Sequence, residues 1–203
     1  MRLPDLRIPC LLVLLAGLSA CGTSQPTRYY LLSSSAPAPV AAQSELTLGI
    51  GPIILPPYLD RREMVSRSSD TELGVAVYHQ WGEPLRDNIS RVLREDLGRR
   101  LGTDRIIRLP VKRSLRRALV IDYQVTIVFG SFEKNPDGKV VLEARWAVLD
   151  NDKNELLLRR SEYSQNPTGA DHAAQAAAQS RVLGLLGEEI AAAVLDLERA
   201  PGH

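Results

Sequence analysis

The residues of this chain best fitted for chemistry lie near its start. Leu18-Ser19-Ala20-Cys21 closes a short apolar run. Small residues ahead of a cysteine form a lipobox: the thiol takes a diacylglycerol through a thioether, and the amino group freed by cleavage is then open to acylation. The flanks agree. Arg2 and Arg7 make a positive leader, offset in part by Asp5, and Ile8 to Leu18 supply the apolar stretch of a secretory signal. That stretch falls short of the about 20 apolar residues a membrane-spanning helix needs. The expectation is a signal peptide over 1–20, removed in export, and a mature chain tied to a membrane through Cys21. Each methylene of an acyl chain buried in the bilayer contributes about 0.8 kcal/mol, so two or more chains anchor durably.

No other residues assemble into an active site. His79, His172 and His203 are the only histidines, and no two stand at metal-ligand spacing. No Gly-x-Ser-x-Gly elbow occurs. Asp150-Asn151-Asp152-Lys153-Asn154 opens like a calcium loop, but its sixth place is Glu155 and its twelfth Ser161, so it reads as a hairpin turn. Gly49-Ile50-Gly51 runs into Pro52 with no helix after it and cannot cradle a pyrophosphate. The expectation is a protein that is not an enzyme and holds no metal and no cofactor.

Composition narrows the partners. Cleavage before Cys21 removes two arginines and one aspartate and leaves 23 basic and 23 acidic residues, so no excess of positive charge points to nucleic acid. Cys10 departs with the signal and Cys21 is acylated, so the mature fold has neither disulfide nor thiolate site. Its 183 residues suit one domain.

Two segments are candidate contact surfaces. Arg105, Arg108, Lys112, Arg113, Arg116 and Arg117 lie between Asp104 and Asp122 with no acidic residue among them. They read either as a solvated connector or, at Arg113, Arg116 and Arg117, as a patch for anionic headgroups or an acidic partner. Pro56-Pro57 stiffens the approach to Tyr58-Leu59-Asp60-Arg61. That stretch reads either as a turn tucking Tyr58 and Leu59 into the core or as a recognition loop.

The elements that would position these residues follow from periodicity. Residues 21–27 form a short lipidated tether, at most about 25 Å when extended. Arg28 to Leu32 is a first strand, and Ser33 to Ser44, without charge, a loose connector. Leu46, Leu48 and Ile50 alternate as a strand that Pro52 limits. Met64 to Arg67 and Leu73 to Trp81 pair across Ser68-Ser69-Asp70, with Leu73, Val75, Val77, His79 and Trp81 on one inward face. Pro84 at the first helical position and the stripe Leu85, Ile89, Val92, Leu93, Leu97 predict a helix capped by Gly102. Strands over 119–129, 140–148 and 155–163 form an antiparallel meander with a turn at Asn135-Pro136-Asp137-Gly138. A long helix over 170–198 with the stripe Val182, Leu186, Ile190, Val194, Leu197 follows. The predicted fold class is α+β: an antiparallel sheet with two amphipathic helices on one face, a single domain over 28–198, and a tail over 199–203.

Tyr29-Tyr30-Leu31-Leu32, Leu48-Gly49-Ile50-Gly51-Pro52, Leu55-Pro56-Pro57-Tyr58-Leu59-Asp60-Arg61, Met64-Val65-Ser66-Arg67, Trp81-Gly82-Glu83-Pro84-Leu85 and Asp122-Tyr123 occur in an order that resembles the PqiC/YmbA family of ABC-type transport auxiliary lipoproteins. Arg62-Glu63 departs from that pattern, where proline and glutamine are expected. The resemblance implies a non-enzymatic outer-membrane component of a phospholipid-trafficking system. It would meet an MCE-domain protein that forms a conduit across the periplasm, and it would assemble as a homo-oligomer. An aspartate after the acylated cysteine favours inner-membrane retention in Gram-negative lipoproteins; Gly22 carries no such signal, so the expected place is the periplasmic face of the outer membrane. An adaptor or assembly factor for another envelope complex stays open as the alternative reading. A lipid hydrolase would need a nucleophile and base that the sequence does not offer.

Overall fold

The alternation of Tyr123, Val125, Ile127 and Phe129 with Gln124, Thr126 and Val128 produces the strand around which the sheet is organised. The computed structural model describes residues 25–37, 44–111 and 120–200. Cys21, Arg113, Arg116, Arg117, Leu119 and His203 lie outside the described residues. In chain order the elements are β1 (Arg28–Tyr30), β2 (Leu48–Ile54), β3 (Glu63–Arg67), β4 (Leu73–Trp81), α1 (Leu85–Leu101), β5 (Ile106–Arg108), β6 (Tyr123–Lys134), β7 (Val140–Leu149), β8 (Glu155–Gln165) and α2 (His172–Arg199).

The meander β6-β7-β8 forms, antiparallel throughout, with β6 running over Tyr123–Lys134 rather than the expected 119–129. At its first turn Gly138 has φ +81°, the left-handed region that glycine enters at little cost. At the second, the Asp150 side chain accepts the backbone N–H of Asn154 at 2.8 Å, the behaviour of a hairpin turn.

The other edge of β6 pairs first with β2 and, at its far end, with β3 through Ser66 and Lys134. Beyond β2 lies β5; beyond β3 lie β4 and then β1. The class is α+β, a single domain in which one eight-stranded sheet carries two helices. Its ladders are not all antiparallel: β1–β4, β2–β5, β2–β6 and β3–β6 run parallel. The cause is α1. Parallel neighbours require a crossover, and α1 sits in the one that carries the chain from β4 to β5 and β6.

α1 lies over β2 and β5, α2 lies over the meander, and the two helices pack on each other. The α1 stripe Leu85, Ile89, Val92, Leu93 and Leu97 is buried, and Gly102 closes the helix in the left-handed conformation at φ 63°. Pro84 stands one place before the helix rather than in its first turn, and its carbonyl accepts from Asp87 and Asn88. In α2, Asp171 caps the start by accepting from Ala174 N at 2.8 Å, so the helix begins two residues later than expected. Val182, Leu186, Ile190 and Val194 are fully buried along it, each contributing roughly 1.5–3 kcal/mol.

β4 departs from the expected inward face. Leu73, Val75 and Val77 are exposed by 39%, 38% and 63%, while Trp81 is buried. Glu63 pairs with Gln80 but Met64 pairs with Ala76, so Val77, Tyr78 and His79 have no partners on β3. The extra residues bend and twist the strand. Trp81 therefore joins the core while the first half of β4 faces outward.

Candidate functional site

The candidate site is the end of the domain where the tether enters, and it is built from β1 outward. β1 is an edge strand of the sheet and only three residues long; Arg28, Tyr29 and Tyr30 pair with His79, Gln80 and Trp81 of β4. Alternation divides its side chains. Tyr30 turns inward, and its hydroxyl is hydrogen-bonded to His79 Nδ1 at 2.8 Å. His79 stacks in turn on His172, the first residue of α2, with ring centroids 3.8 Å apart and planes 16° from parallel. Three elements thus meet in one aromatic stack. Burial holds the His172 imidazole below its ordinary value, and the neighbouring His79 and Lys134 act in the same direction. Tyr29, Leu31 and Tyr78 turn the other way and are exposed by 65%, 58% and 44%.

Past β1 the chain is clamped rather than loose over 32–36. Leu32 is buried; its N–H donates to Asn88 Oδ1 at 3.1 Å and its carbonyl accepts from Arg91 at 3.0 Å. Ser33 N donates to Ser180 Oγ at 3.1 Å, Ser34 donates to Asp96, and Ala36 N donates to Asp96 Oδ1 at 3.4 Å. Ser35 crosses α2 at Gly184, where an added Cβ would stand 1.7 Å from its Oγ. The expected loose connector is therefore a strap over both helices as far as the described residues follow it. Its partners Asn88, Asp96 and Ser180 are buried polar residues that no motif in the sequence marks. Their one sequence signal is polarity beside an apolar stripe.

The second candidate, the loop after β2, faces inward in part. Leu59 is 3% exposed. The Tyr58 hydroxyl donates to Glu133 Oε1 at 3.0 Å and accepts from Arg67 Nη2 at 3.2 Å. Arg67 Nε reaches Glu133 at 2.6 Å, and its guanidinium lies 5.3 Å from the Tyr58 ring centroid. Burial, above all, raises the Tyr58 hydroxyl beyond its usual value. Asp60 and Arg61 stay at the surface, paired with Arg86 at 2.5 Å and Glu63 at 2.9 Å. Tyr58 and Leu59 thus support the fold, and Asp60 and Arg61 are the part of the loop a partner could touch.

Gly49 and Gly51 serve close packing. A Cβ on Gly49 would fall 2.7 Å from Leu109 Cδ1, and one on Gly51 would fall 2.6 Å from the Leu109 carbonyl oxygen. Among the described residues no group of three or more histidines, cysteines or acids could hold a metal ion. No helix among them is long and apolar enough to cross a membrane.

An α+β domain with a strapped N-terminal segment behind a lipobox fits the class of envelope lipoproteins. The chain belongs to the family of ABC-type transport auxiliary lipoprotein components, whose model matches residues 30–191. Among solved structures it is similar to protein XCC0632 from Xanthomonas campestris, at 19% identity and a TM-score of 0.69, covering 83% of this chain and 95% of that one. An uncharacterized protein is similar at 17% identity and a TM-score of 0.67, covering 84% and 99%. Both likenesses show the fold. The comparison with curated proteins gives no significant match.

Proposed function

We propose that this chain is a non-enzymatic outer-membrane lipoprotein of an MCE-type phospholipid transport system. It faces the periplasm, docks the far end of a conduit built by MCE-domain proteins, assembles as a homo-oligomer and supports envelope integrity. The observation that carries the reading is the family match, which describes an auxiliary lipoprotein of ABC-type transport and begins nine residues after the lipobox cysteine. The site geometry agrees with it. The residues available for contact, Asp60 and Arg61, follow the buried Leu59 on a loop fixed to the core, as binding surfaces are.

Crosslinking in intact envelopes followed by affinity recovery of the tagged full-length chain tests this. Recovery of an MCE-domain protein in the crosslinked species is the expected result. Recovery of a different envelope complex, with no MCE-domain protein, contradicts it and favours the adaptor reading.

A further inference from the structure

We infer that Tyr29, Leu31 and Tyr78 form a seat on which the domain rests against the bilayer that holds its anchor. The inference depends on acylation of Cys21. The three residues share one side of the β1–β4 pair. Tyr29 is registered with Gln80, Tyr78 is two residues before Gln80, and Leu31, two residues after Tyr29, lies over Gly82, where an added Cβ would meet Leu31 Cδ2 at 3.3 Å. The opposite side of the pair is occupied by Tyr30, His79 and Trp81, which face the protein.

Three observations make the occupant a lipid surface. The first is reach. Cys21 precedes Arg28 by seven residues, at most about 25 Å of extended chain. The 28-residue α2 alone runs about 42 Å. An acylated Cys21 at the lipid boundary therefore holds the β1 end of the domain toward the membrane, and the strap over 32–36 fixes the rest of the fold to that end.

The second is residue type. Tyrosine, with an apolar ring and a polar tip, is the side chain that collects at lipid–water boundaries. The third is size. Two partly exposed tyrosines and a leucine offer on the order of 300 Å². A stable protein interface needs about 800 Å² on each partner. By itself a surface this small falls short of that, but the anchor already confines the domain to the membrane, so weak contacts suffice to orient it.

The mature chain carries no cysteine but Cys21, so an introduced thiol is the sole one open to labelling once that residue is acylated. Tyr29→Cys, Leu31→Cys, Tyr78→Cys and, on β8 at the far margin of the sheet, Leu158→Cys would each be made in the full chain and purified in lipidated form. Each would carry a polarity-sensitive fluorophore in vesicles of phosphatidylethanolamine and phosphatidylglycerol, some containing lipids brominated near the headgroup. Far-UV circular dichroism confirms folding, and intact mass reports on acylation.

The expected result is a blue shift and bromolipid quenching at 29, 31 and 78, with neither at 158, as for groups about 5–10 Å into the headgroup boundary. Acylated protein with no quenching at the three positions overturns the seat while leaving the anchor intact. So does acylated protein in which the three labels are shielded but unquenched and the thiols crosslink between copies, because a second chain then covers the surface. Protein without acyl chains overturns the anchor and the seat with it.

Discussion

Two segments of this domain have similar residue types and opposite fates. Tyr58-Leu59 in the loop after β2 is drawn in: Leu59 is buried and the Tyr58 hydroxyl lies between Glu133 and Arg67. In Tyr29-Tyr30-Leu31-Leu32 the chain alternates, with Tyr30 and Leu32 inward and Tyr29 and Leu31 outward. Exposure is decided by what lies across from the side chain. Tyr58 faces the nearly buried carboxylate of Glu133 and a guanidinium over its ring, so burial leaves no polar group unmatched. β1 is an edge strand with a partner on one side only, and none of the described residues covers Tyr29 on its outer face. An inward tyrosine here stabilises the fold, and an outward one remains available to whatever the domain meets.

That contrast can be broken by substitution. Leu59→Ala should cost about 3 kcal/mol, within the range for truncating a buried leucine. Leu31→Ala should change stability by less than about 0.5 kcal/mol. Urea unfolding followed by the fluorescence of buried Trp81 and Trp146 measures both, and equal losses would erase the distinction. Gly184→Ala should cost about 2 kcal/mol, because the new methyl group displaces the strap at Ser35. Faster amide exchange confined to residues 32–36 would locate that damage. Tyr58→Phe should cost about 1 kcal/mol by removing the hydroxyl shared by Glu133 and Arg67, while Tyr29→Phe should be neutral.

The smallest effect is on pH dependence. In the folded chain His172 binds its proton less readily than an ordinary histidine, first because it is buried and then because His79 and Lys134 are close. The unfolded chain therefore takes up more protons as pH falls through about 6.5, and folding stability declines with acidification there. His172→Gln should make the melting temperature fall less steeply between about pH 7 and about pH 5. An unaltered slope would remove His172 from that account.

Much of the fold was legible because its signals are local. The stripes of α1 and α2, Gly102 beyond α1 and the turn at Asn135 to Gly138 are each set by residues close in sequence, and each stands where its pattern puts it. The parallel ladders of β2 with β5 and β6 were not legible, since they depend on where α1 returns the chain. Nor was the outward face of β4, because a bulge of three unmatched residues leaves no mark on an alternating pattern. The strap was hidden for another reason: Ser33-Ser34-Ser35 is plain in composition, and its partners Asn88, Asp96 and Ser180 lie 55 or more residues away. The stack of Tyr30, His79 and His172 likewise joins three elements that no spacing rule connects.

Attachment of the domain to a membrane depends on the chemistry at Cys21. Intact-mass measurement of the mature chain isolated from membranes, with fragmentation of its N-terminal peptide, tests it most directly. The expected species begins at Cys21 and carries a diacylglyceryl thioether with a further acyl group on its amine. A chain bearing a free thiol at Cys21, recovered from the soluble fraction, would contradict it.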